Sequence, residues 1–424
     1  MKLLFVSLDF PVPANNGHRM RNWALLRALA AEGHEITLLT FTQSGDAGCD
    51  HDLIYEICQA VEVLPLDYGN VSAARDHVGR LLAVPFPAPY TVRRFRSALM
   101  TERIELLLNR NRFDAVLCET CYPLINFPVH LPIPLILDNH NVEHKLIERY
   151  RAQERNIGKK VYASLECRKL RKWEQRAWSR ADFVLTCSAD DQTTVQRLCS
   201  GAGTAVVPNV IDVDNYPLPA SDSETNPRAP SLLYAGGMDW FPNRDAVEYF
   251  IIQILPELRL QCPGLQFVVA GRGPSDEFRR RFAQYPDVRF TGTLPDLRPE
   301  IAQATVCIVP LRIGSGTRLK ILEAAAMQKP IVSTRVGAQG LEFENEKEIL
   351  LADDPLDFAR AAVRLLQDCG LRQQLGRAAR LCVEQRYSLA VLRTRVRQAL
   401  EQVLQPVPNA TAERPLSCLG ESQS

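Results

Sequence analysis

Apolar residues along this chain follow two alternating rhythms. Short, nearly unbroken apolar runs occupy residues 3–8, 35–40, 61–65, 115–118, 134–137, 181–188 and 204–212, while Met20, Trp23, Leu26, Leu29 and Ala30 recur with helical spacing until Gly33. Short runs closed by turn residues predict strands and the 3.6-residue period predicts a helix, so the chain opens β-α-β. The alternation restarts at residues 231–237, 265–273, 288–294 and 306–311. Between the two series, residues 217–230 are rich in proline and serine and read as a linker. Two helical stretches come after Asp354, the last at about 389–404, and the polar, proline-bearing residues from 406 read as a flexible tail. A chain of 424 residues exceeds what one core supports. The expected division is a first α/β domain at 1–216, a linker at 217–230, a second α/β domain at 231–384, a C-terminal helix at 385–405 and a tail at 406–424.

One stretch concentrates the chemistry. The run 306–311 reads as a buried strand, Gly314-Ser315-Gly316-Thr317 as a tight loop and Leu319 onward as a helix. Such a turn presents unpaired backbone N–H groups at the positive end of a helix dipole, where an anion is the natural guest. Arg318 and Lys320 fall in the first helical turn, which disfavours cations, so something negative is expected beside them. Glu323 comes next among Ile321, Leu322 and three alanines, and a carboxylate in so apolar a setting requires hydroxyl or cationic partners. The plainer alternative is an exposed Lys320–Glu323 pair on an ordinary helix, with glycines that merely turn the chain.

Three more strands of the second half run into glycine, at Gly236 and Gly237, at Gly271 and Gly273, and at Gly292. Glycine permits close approach of backbone to a ligand, and these ends describe one cleft rim with Gly314 and Gly316. Arg272 within that rim reads either as a phosphate-binding cation or as a surface loop residue. In the first half, ligands of such sheets bind at the carboxyl ends of strands, which places Asn15, Asn16, Gly17 and Arg19 at the cleft edge. The run 134–137 ends in Asp138-Asn139-His140-Asn141-Val142-Glu143-His144. A metal or general-base site is one reading, although the order is not H-E-x-x-H and no clear third ligand is visible; a capping cluster is the other. The first strand carries no G-x-G-x-x-G fingerprint, which argues against a dehydrogenase.

Composition narrows the class. Hydrophobic residues at 46% and charged residues at 23% describe a globular protein. No apolar run approaches a membrane span, and the apolar start stops at Asp9 without a cleavage-type region, so it reads as a first strand. A formal charge of +1 argues against a general nucleic-acid binder. Residues 145–180 depart from that balance, with twelve basic and four acidic side chains and Tyr150, Tyr162, Leu165, Leu170, Trp173 and Trp178 interleaved. They read as a helix lying on an anionic membrane surface or as a solvated helical face. Twelve cysteines form no framework; only Cys118 and Cys121 are closely spaced, with no second pair to complete a zinc site. Reduced cytosolic thiols are expected, with a redox pair as the lesser alternative.

Residues 314–327, with Lys329-Pro-Ile-Val-Ser-Thr after them, resemble the donor-site signature of retaining glycosyltransferases of family 4. The resemblance extends over roughly residues 1–400 and implies the GT-B fold, two Rossmann-like domains facing a central cleft. It implies transfer of a sugar, with retention and without a metal or other cofactor, from a nucleoside diphosphate sugar to a glycan or lipid-linked acceptor, in cell-surface polysaccharide or glycolipid synthesis. The place would be the cytoplasm or the inner face of its membrane. The family spaces two glutamates E-x7-E: Glu323 matches the second, on the ribose, while the first position is Ser315. His140 matches a histidine near the reacting sugar, Gly17 a loop facing the diphosphate and the acceptor, and Gly236 and Gly237 a turn near the diphosphate. The chain after Gly292 would hold the base, the loop of Gly314, Ser315, Gly316 and Thr317 the donor, and Arg272, Arg318 and Lys320 the phosphates. A non-catalytic nucleotide-sugar-binding module and a nucleotide-sugar epimerase of the same fold remain the alternatives.

Overall fold

The computed structural model describes residues 1–42, 51–66, 73–218 and 229–404. Most of the expected linker and the whole expected tail lie outside the described residues. Within them the chain forms two parallel sheets. The first contains β1 (Lys2–Ser7), β2 (Glu35–Thr42), β3 (Ala60–Pro65), β4 (Ala115–Glu119), β5 (Leu135–Asn139), β6 (Phe183–Thr186) and β7 (Gly203–Val206), in the spatial order β3-β2-β1-β4-β5-β6-β7. The second contains β8 (Ser231–Ala235), β9 (Gln266–Ala270), β10 (Val288–Gly292), β11 (Val306–Val309), β12 (Ile331–Ser333) and β13 (Leu350–Leu351), in the order β10-β9-β8-β11-β12-β13. The expected runs 3–8, 61–65, 115–118 and 134–137 thus lie within a residue or two of β1, β3, β4 and β5.

Register explains the unbroken apolar runs. Phe5 of β1 stands opposite Leu38 of β2 and Leu117 of β4, and helices cover both faces of the sheet. Strands buried on both sides carry continuous apolar sequence instead of alternating with polar residues. Helices named below are α1 (Gly17–Ala31), α2 (Ala73–Leu82), α3 (Glu143–Gln153), α4 (Ile157–Arg180), α5 (Leu319–Ala326) and α6 (Leu389–Leu404). Helix α1 starts three residues before Met20, because Asn16 caps it by accepting from the Arg19 N–H at 3.0 Å. After Asp354 the chain forms three helices where two stretches were expected. Asp368 separates the first two and caps the second through the Leu371 N–H at 2.8 Å.

Helix α6 lays Leu392, Val396, Ala399 and Leu400 into the core of the first half, beside Leu25, Leu26 and Leu29 of α1. Burying each leucine contributes about 1.5–3 kcal/mol, which binds the end of the chain to its beginning.

Candidate functional site

The donor-side loop is fixed at both ends. Leu311 and Ile313 are buried, Gly316 adopts φ +73°, and Arg318 takes the N-cap position of α5 instead of its first turn. A Cβ on Gly316 would run into the Asn141 side chain, so this glycine is required by close approach as well as by its left-handed backbone.

Lys320, half-buried, donates to the Tyr234 hydroxyl at 2.8 Å and to Asn243 Oδ1 at 3.2 Å, with its ammonium 4.0 Å from the centre of the Tyr234 ring. A Cβ at Gly236 would come within 2.7 Å of Nζ, so Gly236 makes room for the lysine. Burial, and then neighbouring Arg318, lower the Lys320 pKa to about 7 against the opposing pull of Glu323. Glu323 accepts from the Tyr216 hydroxyl at 3.1 Å, and burial raises its pKa. The expectation of hydroxyl partners for this carboxylate is met by Tyr216. The plainer reading of an exposed Lys320–Glu323 pair fails, because Lys320 bonds elsewhere.

Arg318 turns back on its own loop, donating to the carbonyls of Ser315 and, at 2.8 Å, Gly316. Burial and then Arg149 lower its pKa to about 10. Arg149 donates to the Gly314 carbonyl, and burial lowers its pKa too. Among the described residues none of Lys320, Arg318 and Arg149 stands in a direct ion pair. Arg272 differs, pairing with Asp239 at 2.9 Å where both side chains are about half exposed. Gly237 lies against Asp239, and Gly271, at φ +142°, passes so close under the Gly236 carbonyl that a Cβ would collide with it. Gly292, at φ +75°, ends β10 beside Arg279.

The two halves meet loop to loop. Ser315 Oγ donates to the Val142 carbonyl at 3.0 Å and Asn209 Nδ2 to Thr317 Oγ1 at 2.6 Å, while the Asn141 amide, correctly oriented, donates to the Ser315 and His140 carbonyls at 3.0 Å each. Gly17 faces Leu319, whose Cδ1 would lie 3.7 Å from an added Cβ. The carboxyl ends of both sheets therefore converge, and the cleft between them is closed by these bonds.

On the first-half side, His140 is buried and its Nε2 lies 2.9 Å from Asp138 Oδ2. Arg21 clamps Asp138 through Nε at 2.9 and 3.1 Å and reaches the Val207 carbonyl and Asn209 Oδ1 through NH1. Burial raises the Asp138 carboxyl, but Arg21 and His140 outweigh it and hold the group well below the usual carboxylate range. His140 Nδ1 lies 3.2 Å from Nδ1 of His18, which is 3.2 Å from Glu119 Oε1. Burial disfavours charge on both imidazoles: the His140 pKa falls, whereas the bond to Glu119 lifts that of His18 to about 9. Leu8 N–H donates to the other oxygen of Glu119 at 2.8 Å.

His144 takes no part in this cluster, so the reading that would join it to His140 in one site is not met. His144 Nδ1 bonds Glu174 at 2.6 Å, and Glu174 also accepts the backbone N–H groups of Glu143 and His144. Glu174 of α4 thus caps α3, whose N-cap residue Val142 makes no side-chain capping bond, so neither Asn139 nor Asn141 opens the helix as the capping reading had it. Sequence reasoning missed His18, Arg21, Glu119, Asn209, Tyr216, Tyr234 and Asn243. Glu119 alone left a sign, a carboxylate ending an apolar run.

Cys118 and Cys121 are buried free thiols whose pKa burial pushes well up, which removes the redox-pair reading. The aromatic residues of the basic stretch 145–180 are in part core residues. Leu170 and Trp178 are buried, Trp178 donates to Asn139 Oδ1 in β5 and Trp173 to the Cys121 carbonyl just after β4, so these residues hold α4 against the first half. No helix among the described residues is long and apolar enough to cross a membrane.

Two parallel α/β sheets whose carboxyl ends face across a glycine-rimmed cleft are the GT-B architecture. The chain superposes on sucrose-phosphate synthase from Thermosynechococcus elongatus with a TM-score of 0.69 at 19% identity, covering 95% of this chain and 99% of that one. It superposes on HepE of Anabaena, solved with UDP-glucose, with a TM-score of 0.63 at 15% identity, covering 95% and 100%. It is 25% identical over 397 residues to glycogen synthase of Mycobacterium tuberculosis, covering 90% of this chain and 89% of that protein. Residues 16–215 match the family Glycosyltransferase Family 4, and residues 229–368 match Glycosyl transferases group 1. Both halves of the chain thus match glycosyltransferase family models.

Proposed function

We propose that this protein transfers a sugar with retention from a nucleoside diphosphate sugar to a glycan or lipid-linked acceptor. The observation that carries the reading is the set of cations at the α5 N-terminus, Lys320, Arg318 and Arg149, gathered without a direct ion pair among the described residues. Such a set repels itself, and a diphosphate relieves the repulsion. When the C1–O bond of the donor breaks, its electron pair passes to the diphosphate, and the helix N–H groups and Lys320 are preorganised to receive that charge. The acceptor hydroxyl attacks the face the diphosphate leaves and passes its proton to a leaving phosphate oxygen. No metal or other cofactor enters these steps, and no carboxylate nucleophile is assigned. Glu323 would exchange its bond from Tyr216 for the ribose diol, and Arg318 would swing from the loop carbonyls to the phosphates. His140, neutral and held by Asp138, would contact the sugar.

A complex of a structural neighbour with UDP-glucose supports a uridine donor. Ser315, already bonded to Val142, favours a second reading in which the chain binds nucleotide sugar without turnover, and an epimerase would act without acceptor. Incubation with radiolabelled UDP-, GDP- and ADP-sugars, with and without membrane lipid, separates transfer from interconversion and from binding alone. Transfer of label to lipid or glycan is the expected result. Recovery of unchanged donor with every acceptor overturns the proposal.

Within residues 145–180 the membrane contact would lie at the exposed start of α4, together with the neighbouring surface of α2. Val78, Leu81, Leu82, Val84 and Phe86 are exposed at and after α2, and Lys169 of α4 donates to the Ala83 and Val84 carbonyls at 2.9 and 2.7 Å. Exposed Ile157 and Val161 of α4 stand among exposed Lys159 and Lys160. Apolar side chains rimmed by lysines suit an anionic bilayer, which supports a cytoplasmic protein docked on the inner membrane face.

A further inference from the structure

Beyond sugar transfer, we infer that His18, Glu119 and His140 form a binding site for a divalent transition-metal cation of the zinc class. The three ligand atoms converge from separate parts of the fold: His18 from the first turn of α1, Glu119 from the end of β4 and His140 from just after β5. His18 Nδ1 to Glu119 Oε1 and His18 Nδ1 to His140 Nδ1 are both 3.2 Å, and His140 Nδ1 to Glu119 Oε1 is 3.7 Å. Ligand atoms about 2.0–2.2 Å from a tetrahedral zinc ion are about 3.3 Å apart, so these three already mark one face of such a tetrahedron.

Hydrogen bonding alone uses this arrangement poorly. With its Nε2 proton directed to Asp138, His140 offers a lone pair at Nδ1, and Glu119 Oε1 is an acceptor as well. Both face the single Nδ1 proton of His18. A cation at their centre satisfies all three at once.

The surroundings are those of a metal ligand set. The second nitrogen of His140 is bound to a carboxylate that Arg21 clamps, an arrangement that orients a ligating imidazole and raises its basicity. The second oxygen of Glu119 is fixed by the Leu8 N–H. Glu119 is buried and His140 nearly so, while the His18 side chain is 41% exposed, leaving a solvent-side fourth position. Three protein ligands of the types His, His and Glu with one open position are a usual zinc set. An ion there ties up the His140 nitrogen that points into the cleft, so zinc should inhibit transfer. That consequence rests on the proposed function, whereas the binding itself does not.

The test is therefore a binding measurement. Untagged full-length protein, freed of metal by a chelator, is titrated with zinc chloride by calorimetry and with cobalt chloride by visible absorption. One zinc ion per chain and the absorption of four-coordinate cobalt are expected. His18→Ala and Glu119→Gln should each weaken binding by at least about tenfold, and His130→Ala, an exposed histidine elsewhere, should not. Circular dichroism establishes that each variant is folded, and His18→Ala removes a side chain already in contact with solvent. Absence of zinc binding, or equal affinity in wild type and both folded variants, overturns the site. Zinc binding without any effect on transfer would leave the site standing and count against the placement of His140 at the sugar.

Discussion

The two rims of the cleft solve the problem of charge in opposite ways. On the first-half rim the cations face carboxylates directly: Arg21 pairs with Asp138 and His18 with Glu119, while neutral His140 bonds Asp138. On the second-half rim Lys320 and Arg318, with Arg149 reaching across, gather without a direct ion pair and donate to neutral oxygens. Burial with a partner holds a side chain in one place, whereas cations gathered without a direct ion pair repel one another, and a bound anion would relieve that repulsion. On the proposed function, the first rim would position side chains and the second would receive the donor diphosphate.

Mutation and pH put that contrast to the test, and the largest effect belongs to the first rim. Arg21→Met strands a buried Asp138, and losing one partner of a buried pair costs about 3–5 kcal/mol, so the melting temperature should drop sharply. A melt unchanged from wild type would show that the first rim is not held by its ion pairs. Lys320→Met should lower kcat by about 10²–10³ with saturating donor while leaving apo stability equal or higher. Lost stability with retained kcat would reduce this lysine to a structural partner of Tyr234.

The same lysine gives a signed dependence on pH. Its pKa is lowered from 10.5 to about 7, so between these values the unfolded chain binds more protons than the folded one. Stability should therefore rise with pH across that window, by an amount that solvent screening of a half-exposed group reduces. Thermal melts of wild type against Lys320→Met isolate the contribution, and parallel curves would refute it.

Glu323→Ala should weaken nucleoside diphosphate binding by about 1.5–3 kcal/mol per lost charge-assisted bond at most, with little harm to the fold. Unchanged affinity by calorimetry would remove Glu323 from the ribose. The smallest effect is expected at Lys159 and Lys160, where each reversal to Glu removes about 1 kcal/mol or more of attraction to anionic vesicles, read by sedimentation at low salt. Binding that ignores both the substitutions and the salt would exclude this surface.

Much of the fold was legible because it is a local property. Strands buried on both faces need continuous apolar runs, and residues 3–8 and 306–311 announced themselves on that ground. The α5 loop was legible for a related reason, since glycines and misplaced cations are anomalies within a few residues of one another. In the 145–180 segment the aromatic residues were not legible as core, because a charge pattern says which face is wet but not that Trp173 and Trp178 already have partners in Cys121 and Asn139.

By itself the sequence determined two parallel α/β halves and a glycine loop at Gly314 to Lys320 where cations stand out of place, since each arises from periodicity or from a handful of adjacent residues, whereas the return of α6 to the first half is a matter of packing. Only the tertiary structure decided which side chains meet. His140 joined His18 and Glu119, more than a hundred and about twenty residues away, and not His144 four positions on. Helical spacing puts His144 on the side that faces α4, where Glu174 receives it, while the ends of β4 and β5 deliver Glu119 and His140 to one point. Distances across a sheet are set by strand order, and strand order is a property of the whole chain.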